Sequence, residues 1–572
     1  MEKLQRLPLG VQDFRILREG NYLYVDKTSL IYELTQTNRA VFFSRPRRFG
    51  KSLLLSTIKY YFLGCKDLFR GLEIEKLESE NSEPWTEYPV LYFSLASGEF
   101  TEKEGLSEKL RTTLNDFEEK YGLPHEEPTL AIRFAKALEN AVKKTGRKVV
   151  VLIRAEGLIP RPSGAKQGVL NPTAIPYENT IPCHKVAYCS AAGLVIDEYG
   201  NSLLKNMSVN PEQEEANRTL YKAFFATLKD CDEYLKFYMF TGVTKFSKVS
   251  IFSDLNQLTD ISLNVKYNAL CGISQIELEK NFAPYIKNLA DANGLSETEC
   301  LDELKRMYDG YHFSSSGDGM YNPFSLLHCF DENKFGYYWF ESGTPTFLIN
   351  KLNSSNYDIR QMFNDVKLSE SGIKDYRPEN ADPVPLFYQS GYLTIKSWNR
   401  RQNSYKLGFP NAEVKYGFLN SLAPSYLHVE DKPAPFNIDI LDDAVEEGNT
   451  DGMRDWFTAL FALLPYSSGS DAESVTEQNF QNVIFMSLTM MGKYARTEVH
   501  STKGRADCIL ETSDYVYIFE FKRDISASDA LKQIEEQNYA KPYLADKRKL
   551  FKIGVNFSTA ERNIVEWEVE EQ

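Results

Sequence analysis

The eight cysteines of this 572-residue chain form no C-x-x-C pair, and its six histidines form no ligand-spaced cluster. That argues against a structural zinc site or a disulfide framework and points to a reducing, cytoplasmic compartment. No window holds the roughly 18 uninterrupted apolar residues that span a bilayer. The opening MEKLQRLPLG lacks the apolar stretch of a secretory signal. These two absences lead us to expect no membrane partner. Internal repeats and low-complexity tracts are missing as well. So is any excess of positive charge. The formal net charge is −14, so nucleic acid would have to be handled at a specific site rather than by the surface as a whole.

What is present describes an ordinary folded chain. Hydrophobic residues make up 42%, with 34 Tyr and 36 Phe, which argues against disorder. The length exceeds what one core can serve and implies roughly two to four domains. Residues 1–285 alternate apolar runs with helical patterns, the mark of an α/β layer fold. The expected strands are AVFFS, PVLYFSL, VVVLI, GLVIDE and LKFYMFTG. Most are continuously apolar, as parallel strands covered on both faces should be. Residues 286–430 read as an α-rich linker region with a small β element, LFYQSGYLTIK. Residues 431–572 read as helices followed by a separate α/β unit of strands, hairpins and a closing helix.

The stretch RPRRFGKS (45–52) meets G-x-x-x-x-G-K-[ST] at Gly50, Lys51 and Ser52, with Arg45 in place of the first glycine. An apolar strand precedes it and a helix follows. In such a loop, here including Arg48 and Phe49, backbone N–H groups and the helix N-terminus converge on phosphates. Lys51 would neutralise the β- and γ-phosphates, and the Ser52 hydroxyl would ligate Mg²⁺. Arg47 and Arg48 read as further charge beside the phosphates, or equally as surface charges or partners for acidic neighbours. In GLVIDEYG, Asp197 would hold the metal and Glu198 would polarise the attacking water. VVVLI, however, runs into Arg154, and residues 154–193 carry several prolines and little periodicity. They read as an insertion splitting one strand, in preference to VVVLI and GLVIDE being neighbouring strands. Thr241 either contacts the γ-phosphate or water, or caps a turn before Gly242. Asp26, Lys27 and Thr28 read as a helix N-cap rather than a nucleotide contact.

In GRADCILETSDYVYIFEFKRD, a two-residue turn at Ser513 and Asp514 would set Thr512 opposite Tyr515 and Asp507 opposite Glu520. Period two then puts Lys522 on the side of Glu520. Two carboxylates suit Mg²⁺, with Lys522 orienting a nucleophile for phosphodiester hydrolysis. The plainer alternative is a structural Asp–Lys–Glu salt bridge. Gln533, Tyr539 and Glu477 read as surface or core rather than as further site residues.

YVDKTSLIYEL, RPRRFGKS, VIDEYGNSLL, TGVTKFSKVSIFSDLNQLTDIS, YNPFSLL and QSGYLTIK together resemble the bacterial AAA-ATPase-like family, whose members carry a C-terminal PD-(D/E)XK nuclease-superfamily domain. The resemblance covers nearly the whole chain. It places Asp507, Glu520 and Lys522 in the D…ExK positions and makes an arginine at position 45 ordinary. It implies a RecA/AAA-like parallel sheet, ATP and Mg²⁺ as cofactors, and nucleic acid, DNA or RNA, as partner. A homo-oligomer is compatible with it. In the family the apolar strand runs directly into the Asp-Glu pair, so the 154–193 stretch bears on whether Asp197 and Glu198 are in place. An ATP-regulated switch that grips but does not cut, or an ATPase with a dead nuclease, stand as alternatives.

Overall fold

The computed structural model describes residues 4–95, 104–125, 129–154, 211–242, 257–341, 366–374, 382–427, 438–462, 494–500, 505–544, 546–561 and 563–572, with isolated positions between 348 and 362 and at 484 and 487. The chain divides into two compact units, 1–348 with 367–414, and 349–366 with 415–572. Among the described residues no helix is long and apolar enough to cross a membrane.

The first unit is built on a parallel sheet of β1 (Ala40–Ser44), β2 (Val90–Ser94), β3 (Val149–Arg154), β4 (Leu235–Gly242) and β5 (Thr259–Asp260), in the order β2-β3-β4-β1-β5. Val149 to Ile153 are all fully buried, because helices cover both faces. On one face α5 (Gly105–Tyr121), α6 (Leu130–Thr145) and α7 (Pro211–Asp230) pack Leu110, Phe134 and Phe224 against Phe93, Val151 and Phe240. On the other, α3 (Lys51–Phe62) packs Phe62 against Phe237, with ring centroids 5.6 Å apart. Both edges of β3 are hydrogen-bonded, to β2 and to β4. GLVIDE, with Asp197 and Glu198, lies outside the described residues.

The α-rich region does not stand apart from this layer. In α8 (Gln275–Asn293), α9 (Glu297–Tyr308) and α10 (Pro323–Glu332), Leu278, Phe282, Leu304 and Leu326 share one core with Leu23 near the N-terminus. Capping boxes at Ser274/Glu277 and Ser296/Glu299 start α8 and α9. Of the expected β element LFYQSGYLTIK, the first part is helical (Val384–Ser390). Gly391 then turns the chain at φ +92°, and β7 (Thr394–Asn399) follows in a three-stranded sheet with β6 (Val366–Ser369) and β8 (Ser404–Gly408). The packing of Phe387 and Leu386 into the core overrides their strand propensity.

The second unit holds a mixed sheet, β13-β12-β11-β10-β9, made of β9 (Tyr494–His500), β10 (Arg505–Glu511), β11 (Tyr515–Arg523), β12 (Lys549–Ser558) and β13 (Asn563–Glu571). β11 and β12 run parallel, and the other pairs run antiparallel. α11 (Ile438–Glu446) and α12 (Thr450–Ala462) cover Tyr517, Phe519 and Phe521. α13 (Ala527–Glu536) covers Val516 and Ile518. Alternation along β11 thus sends Glu520 and Lys522 to the α13 face.

Candidate active sites

In an open parallel sheet, ligands sit outside the carboxyl ends of the strands. Here Ser94, Arg154, Thr241 and Phe43 form one row across β2, β3, β4 and β1 at that end, and RPRRFGKS leaves β1 beside it. Arg48 (φ +68°) and Gly50 (φ +89°) take left-handed conformations on either side of Phe49. Such alternation turns successive N–H groups toward one side. Gly50 is the N-cap of α3 and supplies no side-chain cap, so the first N–H groups of the helix are not capped from there. A Cβ on Gly50 would meet nothing within 4 Å. The glycine is thus required for its backbone angle, and the space above it is open to close approach.

The loop's side chains point elsewhere. Arg45, 2% exposed, donates to the carbonyls of Ser44, Ser262, Tyr267 and Asn268 and lies between the Phe43 and Phe313 rings, 4.4 and 4.1 Å from their centroids. Burial lowers its pKa to about 10. The Arg47 guanidinium sits over Trp339 and that of Arg48 over Phe324, while Phe49 meets Tyr311 and Phe313 edge-on. Arg47 is buried and so is not a surface charge. Lys51 Nζ donates to Arg45 O (3.0 Å) and Pro46 O (2.8 Å), so the loop curls round its ammonium. Ser52 is buried. The Thr241 hydroxyl is fully buried and has no hydrogen-bond partner among the described residues. Lys27 is the N-cap of α2 (Thr28–Thr37) and offers no side-chain cap; Asp26, just before it, accepts from Thr28 N (2.8 Å) and the Thr28 hydroxyl (2.6 Å), and Lys27 pairs with both oxygens of Glu277 at 2.6 Å.

In the second unit, Thr512 N donates to Tyr515 O, and Cys508, Ile509 and Leu510 pair with Phe519, Ile518 and Tyr517. That is the register expected from the two-residue turn. Asp507 Oδ2 accepts from Phe521 N at 2.9 Å, which holds the carboxylate at the mouth of the hairpin. Glu520 is 2% exposed. Its Oε1 accepts from Lys522 Nζ at 2.9 Å and from Gln533 Nε2. Its Oε2 is buried with no hydrogen-bond partner among the described residues. Burial first, and the Asp507 charge second, raise the Glu520 pKa to about 7 against the pull of Lys522. A buried carboxylate oxygen without a donor suits a cation.

Gln533 corrects the expectation that it is surface or core, since it reaches the acid itself. The sequence signal was its place beside the apolar stripe Ala527, Ala530, Leu531 and Ile534 of α13, where a polar residue needs a partner. Tyr539 belongs to the core beneath α13. Glu477 lies outside the described residues.

Comparison with known proteins fits both sites. Residues 8–155 and 178–252 match the AAA-ATPase-like family model, described as a predicted AAA-ATPase. Residues 475–567 match the PD-(D/E)XK nuclease superfamily. An Azotobacter chroococcum mcd 1 protein, described as an uncharacterized protein in the vnfD 5' region, is 32% identical over 577 residues, 99% of each chain. The chain belongs to this AAA-ATPase-like family. Its N-terminal domain is AAA-ATPase-like, and its C-terminal domain is of the PD-(D/E)XK nuclease superfamily. The break in the family match, 156–177, falls inside the stretch that reads as an insertion. No solved structure matches the chain.

Proposed function

We propose that the chain binds and hydrolyses ATP with Mg²⁺ at its N-terminal domain and cuts nucleic acid at its C-terminal one. The first half is supported by the open space over Gly50, its left-handed turn into α3 and the Thr241 hydroxyl, which has no partner among the described residues, at the row of strand ends. Ser52, with Asp197 by sequence, would hold the metal there. Glu198 would polarise the attacking water, and Thr241 would meet the γ-phosphate or that water. Arg48, Phe49 and Gly50 would offer backbone N–H groups, and Lys51 its ammonium. For that, Lys51 exchanges the Arg45 and Pro46 carbonyls for phosphate oxygens.

The observation that carries the second half is the partnerless buried oxygen of Glu520 beside Asp507. Asp507 and Glu520 would hold a divalent ion, which supplies positive charge to a phosphodiester and acidifies a water. Gln533 holds the Glu520 carboxylate, and Lys522 would orient that water. A second reading is a switch that binds ATP without turnover and grips nucleic acid without cutting. The packing of Arg47, Arg48 and Phe49 onto aromatic rings favours it, because any shift of the loop must move those rings.

The test is incubation of the full chain with ATP, Mg²⁺ and single- and double-stranded DNA and RNA. Cleavage lost in Glu520→Ala, and ATP turnover lost in Lys51→Ala, are the expected results. Untouched substrates in every arm would remove the nuclease assignment. Cleavage that survives Glu520→Ala would point to a contaminant.

A further inference from the structure

Asn556 lies one strand away from Lys522. The two are register partners across the parallel pair β11 and β12, so their Cα atoms are about 5 Å apart and their side chains share the α13 face. Asn556 is 8% exposed, and its Oδ1 is buried with no hydrogen-bond partner among the described residues. A buried amide oxygen without a donor is destabilising, and native chains seldom keep one that has no use.

The residues flanking Asn556 decide what that use can be. On one side its partner is Glu566 of β13. An ionised carboxylate has no proton to donate, and Glu566 Oε2 already accepts from Ala527 N, at the start of α13, at 2.8 Å. On the other side Lys522 carries an ammonium with three donors. One of these goes to Glu520 Oε1 at 2.9 Å, an oxygen that also accepts from Gln533. Lys522 is thus the flanking donor and Asn556 the flanking acceptor.

A divalent ion on Glu520 would upset this arrangement. It draws on the same carboxylate as Lys522 and repels the ammonium. Asn556 Oδ1, one strand spacing away, is then the acceptor to which the ammonium can turn. Because the amide is neutral, it holds the ammonium without cancelling its charge, as an acid in that place would.

We propose that Asn556 is a positioning residue of the nuclease-like site: its Oδ1 accepts from Lys522 Nζ when a divalent ion sits on Glu520, and so fixes where that ammonium points. This rests on the reading of Asp507 and Glu520 as an ion site.

The test is calorimetric titration of the nucleotide-free full chain with Mg²⁺, with Glu520→Gln identifying the part of the signal that belongs to this site. Asn556→Ala should weaken that binding on the order of tenfold, the scale of one hydrogen bond to a charged group. Asn556→Leu, which removes the oxygen and keeps the volume, should do the same, and it decides the matter if Asn556→Ala does not fold. In a Lys522→Met background both substitutions should leave Mg²⁺ affinity unchanged, because Asn556 acts through the ammonium alone. Equal weakening with and without the lysine overturns the proposal, since Asn556 would then act on the ion or the fold directly. Unaltered affinity in both Asn556 variants overturns it too, and leaves the ion site standing. A wild type that binds no Mg²⁺ here removes the ion site as well.

Discussion

Glu520 and Gly554 are partners across the parallel pair β11 and β12, and the absent side chain of Gly554 lets α13 lie close enough for Gln533 to reach the Glu520 carboxylate. A Cβ on Gly554 would collide with the Ala527 carbonyl, at the first turn of α13, and crowd Leu531. Its φ is not positive, so the requirement is for space alone. Gly554→Ala should therefore destabilise the chain by about 1–3 kcal/mol, the usual range for overpacking. It should also weaken the Gln533 contact. Chemical denaturation reads the first effect. An Mg²⁺ titration followed by thermal shift reads the second.

The raised pKa of Glu520 makes stability depend on pH. Between about 4.5, the ordinary glutamate value, and about 7, the folded chain keeps a proton that the unfolded chain has released. Stability is thus highest below that window, falls as pH rises through it, and levels off above. At about 1.4 kcal/mol per unit the total is about 3 kcal/mol. Glu520→Gln should flatten this part of the stability profile and raise the melting temperature at pH 8. An unchanged slope between pH 5 and 7 in the variant would show that another group titrates there.

Gln533 donates to the charged form of Glu520, so it favours ionisation. Gln533→Ala should push the Glu520 pKa up further, by about one unit, which is what a hydrogen bond to a charged group is worth. Any Mg²⁺-dependent cleavage should shift its acidic limb to higher pH by the same amount, and Gln533→Asn should recover little of the lost effect because its amide is shorter. A fall in rate without a pH shift would mean that Gln533 acts only on the packing of α13.

Legibility differed between the two halves of the chain for a physical reason. The hairpin of β10 and β11 is local. Turn length and period-two alternation alone set Asp507 against Glu520, and the observed register agrees. The N-terminal sheet was likewise readable as apolar runs between helices. What the sequence did not disclose depends on contacts distant along the chain. Arg45 is packed by Ser262 to Asn268 and Phe313, more than 200 residues away. Leu23 shares a core with α8 to α10, which belong to the first unit. A cavity beside Gly50 is lined by four separate stretches of the chain, within 8–31, 49–57, 270–282 and 323–327. None of these relations has a periodicity to read.

Arg45 offers a sharp test of how a loop departs from its sequence pattern. Arg45→Gly would restore the first glycine of G-x-x-x-x-G-K-[ST], and a reading based on pattern alone expects equal or better phosphate binding. The structure leads to the opposite expectation. The guanidinium satisfies carbonyls of Ser44, Ser262, Tyr267 and Asn268 in a buried setting, and it fills the gap between Phe43 and Phe313. Its removal leaves those acceptors without a donor and opens a void. Each hydrogen bond to a charged group contributes about 1.5–3 kcal/mol, so the loss should be at least about 3 kcal/mol. Lys51 also rests on the Arg45 carbonyl, and the backbone there becomes freer with glycine. Arg45→Gly should thus lower both the melting temperature and the affinity for ATP. An unchanged melting temperature would mean that the buried cation contributes nothing net to the fold.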